Sequence, residues 1–284
     1  MSTDLYCVMG NPVEHSKSPW IHARFAELTG QRIGYGRRLI PLDGFADGIA
    51  AWRAEGGRGC NITVPFKFEA GTLPGLRMTP RAALAQACNT LRFDADGSIF
   101  ADNTDGVGLV NDITVNAGVP LAGQRVLLIG AGGAAAGVLG PLIQAGPAHV
   151  TVANRTLDKA VVLAERHGAL AAMHGVTLAA SELAGANGPC GPFDVVINGT
   201  ASSLAGAGVP VPDGVLKPGT LAVDMMYGPA AQPFMQWAAN HGAVARDGLG
   251  MLVEQAAESF ERWRHVRPPS AQVLQELRRT LAAP

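Results

Sequence analysis

Short apolar runs alternate with stretches of helical periodicity through the first third of the chain. Three runs predict β-strands, at Leu5–Met9, Ile33–Pro41 and Gly59–Val64. The segments between and after them predict helices over Pro19–Thr29, Phe45–Glu55 and Ala82–Ala87. A fourth strand over Cys88–Phe93 precedes Asp96-Gly97, a dipeptide typical of a hairpin turn. This β-α-β-α-β order predicts a mostly parallel sheet flanked by helices.

A second α/β unit is predicted after a helix over Thr104–Ala117. Its strands are expected at Arg125–Ile129, His149–Ala153, Phe193–Asn198 and Leu221–Asp224. Its helices are expected at Ala134–Ala145 and Leu157–Glu165, and two Gly- and Pro-rich segments, Gly185–Pro192 and Ser202–Pro212, are expected to be surface loops. The segment from Gly250 onward has helical periodicity. Two α/β domains therefore follow from the pattern.

Composition agrees with this organisation. A chain of 284 residues exceeds what one hydrophobic core usually serves, and 48% hydrophobic against 16% charged residues excludes a disordered chain. The formal net charge of −1 argues against nucleic acid as a partner. The uncharged run Val126–Ile143 is long enough to suggest a membrane span, but its glycines and Pro141 favour a strand, a turn and a helix.

Candidate metal and redox sites are not apparent. The four cysteines form no CxxC pair, so they are expected to be reduced thiols. The histidines show no HxxxH or HExxH spacing, and His15 and His22 are expected to pack or hydrogen-bond rather than to bind metal. The N-terminus has no basic and apolar signal-peptide pattern, which favours a cytoplasmic protein.

The sharpest local motif is a glycine turn between a predicted strand and a predicted helix. It comprises Gly130, Ala131, Gly132, Gly133 and Ala134, followed by Ala135. Such a turn lets backbone N–H groups approach a pyrophosphate, and the helix N-terminus adds partial positive charge. The fingerprint tolerates alanine at its sixth position. An ordinary tight turn is the alternative interpretation.

The next predicted strand ends in residues suited to a phosphate. Asn154 stands where a dinucleotide-binding fold carries its ribose-reading residue, and no acidic side chain is present there. Arg155 offers a planar fork, Thr156 a hydroxyl and Lys159 a second positive charge. These residues favour NADP over NAD, although Arg155 could also be an ordinary solvated charge.

Polar residues that could bind a substrate cluster at strand ends in the first half. Ser16 and Ser18 precede a helix, where their hydroxyls could donate to a carboxylate or Ser18 could merely cap the helix. Thr63 and Lys67 flank a Pro turn in apolar surroundings. A partly desolvated Lys67 could transfer protons, whereas most lysines are simply solvated.

Two further polar segments complete the set. Asn89 follows a predicted helix, and Asp105 begins one, where it could act as a simple cap. Asp105 also lies where the chain is expected to enter the second domain, and small-molecule sites concentrate between domains.

In this order the motifs resemble those of the shikimate dehydrogenase family. The segments that carry the resemblance are GNPVEHSKSPWIH (10–22), NITVPFK (61–67), CNT (88–90), DNTDGVG (102–108), GAGGAA (130–135), NRT (154–156), DMMY (224–227) and DGLGMLVEQA (247–256). The resemblance implies an N-terminal substrate domain with a mostly parallel sheet, formed by residues 1–105 and 245–284. It also implies a Rossmann-like NADP domain over residues 106–244.

The resemblance also assigns roles to residues. It implies that Lys67 is the catalytic acid/base and that Asp105 is its partner at the substrate hydroxyls. It implies that Ser16 and Ser18 bind the substrate carboxylate. Further substrate contacts are implied at Thr63, Asn89, Tyr227 and Gln255. The NADP side is implied to comprise Gly130–Ala134, Asn154, Arg155, Thr156, Lys159, Met225 and Gly248.

The implied activity is NADPH-dependent, reversible reduction of 3-dehydroshikimate to shikimate in aromatic amino acid biosynthesis, by a monomer or homodimer. One alternative is a quinate/shikimate dehydrogenase that uses NAD or both cofactors. Another is a catalytically silent NADP-binding regulator, which the presence of both Lys67 and Asp105 disfavours. The chain departs from the family at Ala135-Ala136, where Ser-Arg is frequent, and this departure bears on cofactor affinity more than on the turn.

Overall fold

The computed structural model describes residues 3–186, 191–200 and 209–282. The chain forms two compact units, one of residues Met1–Gly108 with Leu252–Pro284 and one of residues Leu109–Met251. The loops predicted over Gly185–Pro192 and Ser202–Pro212 lie largely outside the described residues.

The elements alternate along the chain as the hydrophobic pattern predicts. The strands are β1 (Asp4–Gly10), β2 (Ile33–Leu39), β3 (Gly57–Ile62), β4 (Leu76–Met78), β5 (Thr90–Phe93), β6 (Ile99–Asp102), β7 (Arg125–Ile129), β8 (His149–Asn154), β9 (Thr177–Glu182), β10 (Val195–Asn198), β11 (Leu221–Asp224) and β12 (Val244–Arg246). The α-helices are α1 (Ser18–Thr29), α2 (Phe45–Ala54), α3 (Lys67–Ala70), α4 (Pro80–Ala85), α5 (Asp105–Asn111), α6 (Gly133–Gln144), α7 (Leu157–Met173), α8 (Gln232–Asn240), α9 (Leu249–Arg264) and α10 (Ser270–Ala282).

The sheet of the first unit has the order β2-β1-β3-β5-β6-β4. Strand β1 is parallel to β2 and β3, and β4 is parallel to β6. Strand β5 is antiparallel to both β3 and β6. The predicted hairpin is present, with Gly97 in the left-handed region at φ 85° in the turn between β5 and β6. The sheet is thus parallel at its edges and antiparallel through β5.

The sheet of the second unit has the order β12-β11-β10-β7-β8-β9, and all of its pairings are parallel. Counted from β7, this is the 3-2-1-4-5-6 order of a dinucleotide-binding fold. The strand order reverses beside β7, where β8 lies on one side and β10 on the other. Ligands of such sheets bind beyond the carboxyl ends of the strands at this point. The uncharged run Val126–Ile143 is divided between β7 and α6.

Several elements escaped the sequence pattern for physical reasons. Strands β4 and β12 have three residues each, which is too short for a visible alternation. Strand β9 is only partly buried and rich in small residues. The predicted helix over Thr104–Ala117 divides into α5 and a π-helical turn at Asp112–Asn116. Among the described residues, the helices include none that is both long and apolar enough to cross a membrane.

An aromatic cluster packs α1 and α9 onto the first sheet. His22 stacks on Tyr35 with ring centroids 4.2 Å apart, and its edge meets Phe25 at 5.9 Å. Trp263 and Phe260 lie on its other sides. His22 is fully buried, and within the described part of the chain neither ring nitrogen lies within bonding distance of a partner. His22 therefore packs within this aromatic cluster.

Burial of His22 makes stability depend on pH. Desolvation lowers the pKa of the His22 imidazole to about 3, although Asn61 acts to raise this pKa. In the unfolded chain the imidazole has its ordinary pKa near 6.5. Below pH 6.5 the imidazole binds a proton in the unfolded state but not in the folded state. The contribution of His22 to stability is therefore fully present above pH 6.5 and is lost as the pH falls towards 3. We expect the free energy of unfolding to fall by up to about 1.4 kcal/mol per pH unit from this residue.

Urea unfolding between pH 7.5 and 4.5 measures this effect. The slope of stability against pH is expected to decrease in His22→Phe, which keeps an aromatic ring without a titrating nitrogen. His174→Gln, at an exposed histidine after α7, is the control. Equal slopes for the wild type and His22→Phe would contradict the assignment.

Candidate active site and cofactor-binding turn

Lys67 and Asp105 form an ion pair in the first unit. The Lys67 Nζ lies 2.6 Å from Asp105 Oδ2, and the two side chains are only 12% and 6% exposed. Lys67 is the first residue of α3, which follows β3 and the Pro65 turn, and Asp105 is the first residue of α5. The carboxylate of Asp105 is therefore bound to another side chain and is more than a helix cap. An amine and a carboxylate held this closely can exchange and position protons.

The packing of Phe66 orients Lys67. Phe66 is 2% exposed, and its ring stacks on Phe45 of α2 with centroids 5.0 Å apart. The backbone N–H of Cys88 donates to the Lys67 carbonyl oxygen at 2.8 Å. The backbone at Lys67 is thus anchored by the packing of Phe66 and by the hydrogen bond from Cys88.

Asn89 is the polar junction of the site. Its Nδ2 donates to Asp105 Oδ1 at 2.8 Å and to Thr104 Oγ1 at 3.0 Å. Its Oδ1 accepts from the Thr104 backbone N–H at 2.8 Å. The Gln255 Oε1 lies 3.4 Å from Asn89 Nδ2. The structure therefore brings together Lys67, Asp105, Asn89 and Gln255, which are far apart in sequence.

A second layer of polar groups lies beneath Asn89. The Asn61 Nδ2 donates to the Asn89 carbonyl oxygen at 3.1 Å and to Ser259 Oγ at 3.0 Å. Thr90 Oγ1 donates to Asn89 Oδ1 at 2.9 Å and lies 2.8 Å from Ser259 Oγ. Asn61 and Thr90 lie in segments that the sequence singles out, but no role was predicted for them. Ser259 carries no sequence signal, because a single serine on an amphipathic helix does not reveal its partners.

Ser16 and Thr63 lie on two adjacent loops of the first unit, and Ser18 begins α1 after the first of these loops. The Thr63 N–H donates to the Met9 carbonyl oxygen at 2.9 Å, next to the start of the loop that carries Ser16. The Ser18 N–H donates to Ser16 Oγ at 3.2 Å. Ser18 is the first residue of α1, and the N-cap residue, Lys17, makes no side-chain cap bond. Simple N-capping by Ser18 is therefore wrong.

The glycine turn after β7 has the shape of a phosphate cradle. Gly130 is in the left-handed region at φ 108°, and a Cβ there would lie 3.2 Å from the Gly199 carbonyl group. Helix α6 starts at Gly133, and its N-cap, Gly132, has no side-chain cap. A Cβ on Gly132 would meet open space. The helix N-terminus is therefore accessible to an anion, and these residues fit the pyrophosphate of a dinucleotide.

The loop after β8 presents an exposed positive charge beside this turn. Asn154 Nδ2 donates to the Thr156 carbonyl oxygen at 2.8 Å, which holds the loop. Arg155, Thr156 and Lys159 are exposed. In the part of the chain that the structure describes, the Arg155 side chain has no hydrogen-bond or ion-pair partner. An exposed, unpaired guanidinium at this position fits a 2′-phosphate.

Met225 and Gly248 are adjacent in the second unit. The Gly248 N–H donates to the Met226 carbonyl oxygen at 2.8 Å. A Cβ on Gly248 would overlap the Met225 carbonyl oxygen, so only glycine permits this approach. Tyr227 follows β11 in the same unit, whereas the other predicted substrate residues belong to the first unit.

Comparisons with known proteins agree with this arrangement. Residues 8–91 match the shikimate dehydrogenase substrate binding domain, residues 114–205 match shikimate / quinate 5-dehydrogenase, and residues 248–278 match the shikimate 5′-dehydrogenase C-terminal domain. The chain is 64% identical over 282 residues to the shikimate dehydrogenase (NADP(+)) of Acidovorax sp. strain JS42, with 99% of this chain and 98% of that one covered.

Solved structures show the same similarity. An Ael1 enzyme from Pseudomonas putida is 43% identical with a TM-score of 0.85, over 97% of this chain and 98% of that one. The shikimate 5-dehydrogenase from Thermus thermophilus, solved with NADP(H) and shikimate, is 30% identical with a TM-score of 0.82, over 98% of this chain and 99% of that one. By its family models and its relatives along nearly its whole length, the chain belongs to the shikimate dehydrogenase family.

Proposed function

We propose that this protein catalyses the reversible NADPH-dependent reduction of 3-dehydroshikimate to shikimate, a step in aromatic amino acid biosynthesis. The observation that carries the proposal is the nearly buried Lys67–Asp105 pair, at 2.6 Å, held by Asn89 in the first unit. The relative from Acidovorax, 64% identical, is named for this activity and this cofactor.

The residues divide the chemistry between proton transfer and positioning. When shikimate is oxidised, a C–H bond breaks, the hydroxyl loses its proton and a C=O bond forms. When bound, NADP supplies the acceptor for the hydride and its electron pair. The neutral amine of Lys67 accepts the hydroxyl proton, and in the reverse direction its ammonium donates that proton to the ketone oxygen. Asp105 holds Lys67 and the substrate hydroxyls in register.

The remaining predicted substrate residues recognise the polar groups of shikimate. Ser16 and Ser18 bind the carboxylate by their hydroxyl groups. Four further residues contact the rest of the substrate: Thr63, Asn89, Tyr227 and Gln255. The first unit is thus the substrate domain. The adjacency of the Ser16–Ser18 and Thr63 loops, and of Asn89 and Gln255, supports this assignment.

The second unit binds NADP. Residues Gly130 to Ala134 cradle the pyrophosphate at the start of α6. Arg155, Thr156 and Lys159 bind the 2′-phosphate, with Asn154 shaping their loop. Met225 and Gly248 complete the cofactor site. The open side of Gly132 and the exposed Arg155 support these roles.

A cytoplasmic location and a monomeric or homodimeric state belong to the same proposal. Cys7, Cys60 and Cys88 are buried free thiols. Cys7 of β1 and Cys60 of β3 are paired directly across the two strands and form no disulfide. Free thiols at such positions are expected in a reducing compartment.

An absorbance assay at the reduced-nicotinamide band tests the function. Purified protein is mixed with shikimate or quinate, and with NADP or NAD, in separate reactions. We expect rapid reduction of NADP by shikimate and much slower reactions in the other combinations. Comparable rates with quinate or NAD would assign the chain to the broader quinate/shikimate dehydrogenases. No reaction from protein that still binds NADP would favour a silent regulator.

A further inference from the structure

We infer that Arg81 is a positioning residue that sets the geometry of Asp105 through the buried carboxylate of Asp102. The inference rests on the proposed function for its kinetic consequence and on the contacts of the first unit for its structural one. Arg81 is the second residue of α4, and none of the motifs assigned to substrate or cofactor contains it.

The Asp102 carboxylate is the anchor of the loop that carries Asp105. Asp102 ends β6 and is fully buried. Arg81 binds it with two parallel hydrogen bonds, from Nε to Oδ1 at 2.7 Å and from Nη2 to Oδ2 at 2.6 Å. Thr79 Oγ1 donates to Oδ1 at 2.6 Å. A buried carboxylate needs such a partner, because burial without one is strongly unfavourable.

The loop is held residue by residue from this anchor. The Asn103 N–H donates to Asp102 Oδ1 at 2.7 Å. The Asn103 Nδ2 donates to the Ala87 carbonyl oxygen at 2.9 Å, and its Oδ1 accepts from the Asp105 N–H at 3.2 Å. The Thr104 N–H donates to Asn89 Oδ1 at 2.8 Å. Displacement of Asp102 therefore shifts the start of α5, where Asp105 contacts Lys67.

The same guanidinium also reaches α9. Its Nη2 donates to Glu258 Oε1 at 2.9 Å. Glu258 lies on the helix that carries Gln255, which contacts Asn89, and Ser259, which contacts Asn61. Arg262 and Arg267 also bind Glu258, at 2.7 and 2.9 Å. Arg262, on α9, also lies 3.3 Å from Asp102 Oδ2 through its Nε. Arg81 differs from Arg262 in binding Asp102 with two short parallel hydrogen bonds, and lysine cannot reproduce this planar fork.

Hydrogen exchange and kinetics of Arg81→Lys and Arg81→Met test the inference. The matched control is Arg77→Met on neighbouring β4, whose side chain is 58% exposed and pairs with Asp94 and Asp96. In Arg81→Met we expect the amides of residues 103–105 to exchange at least about tenfold faster, while those of β1 remain unchanged. We expect kcat for shikimate oxidation to fall about 10- to 50-fold, with KM within about threefold.

Arg81→Lys is expected to restore part of both the protection and kcat, and it carries the test if the methionine variant does not fold. Unchanged exchange at residues 103–105, or faster exchange throughout the first unit, would overturn the positioning role. So would an equal effect of Arg77→Met. An inactive wild type would refute the proposed function alone, because the exchange measurement still decides the role of Arg81.

Discussion

Replacing Lys67 with alanine is expected to lower kcat for shikimate oxidation by about 10²–10⁴, with little change in KM. The reason is that the proposed function assigns the proton transfer to Lys67, whereas it assigns most substrate contacts to other side chains. Asn89 still donates to Asp105 in the variant, so the remaining site keeps its hydrogen-bonded frame. Steady-state kinetics with saturating NADP measure the effect, and thermal unfolding verifies the fold.

A surface pair of the same chemistry is the control. Lys217 lies 2.5 Å from Asp194, but these side chains are 45% and 25% exposed. Lys217→Ala is expected to leave kcat unchanged, because Lys217 is not among the proposed site residues and its exposed pair adds little to stability. A Lys67→Ala enzyme with nearly normal kcat would remove Lys67 from its role as the acid/base group.

Arg155→Glu is expected to shift the ratio of kcat/KM for NADP over NAD by about 10²–10³ towards NAD. In the proposed function the arginine donates charge-assisted hydrogen bonds to the 2′-phosphate. A glutamate would repel that phosphate and could accept from the 2′-hydroxyl of NAD. Both cofactors are titrated at a fixed shikimate concentration, and the ratio is compared with that of the wild type.

Arg166→Glu makes the same change of charge further along α7. It is expected to leave the cofactor ratio within about threefold of the wild type, because Arg166 lies about 14 Å along the axis from the start of α7. Charges separated by more than about 10 Å are largely screened at physiological salt. If Arg155→Glu kept the preference for NADP, the 2′-phosphate would have to be recognised elsewhere, and Thr156 and Lys159 would be the next residues to replace.

The α/β rhythm could be predicted because it depends on local chemistry. Runs such as Arg125–Ile129 are apolar and β-favouring, and the glycine turn after them has a conformation that few other residues adopt. The antiparallel pairing of β5 with β3 could not be predicted in this way. Strand direction within a sheet depends on how distant segments pack, and the Cys88–Phe93 pattern is compatible with either direction.

The candidate site likewise combines residues that the sequence singles out with contacts that only the tertiary structure shows. Residue types and motif order were enough to single out Lys67, Asp105, Asn89 and Gln255 from the sequence by their resemblance to a known family. Their assembly around the Asn89 amide is a tertiary property, because Gln255 comes from α9, more than a hundred residues after Asn89 in the sequence. The buried support beneath them, including Ser259 and Asn61, was found only in the structure.

The sequence by itself determined the two α/β units and the glycine turn, because these features depend on backbone propensity and on side-chain chemistry at each position. Its resemblance to a known family singled out Lys67 and Asp105. Only the tertiary structure decided that Lys67 and Asp105 are nearly buried, and that Arg81 joins Asp102 to Glu258. Such contacts arise when packing removes water from groups distant in sequence, and a lone arginine on a short helix carries no local sign of that role.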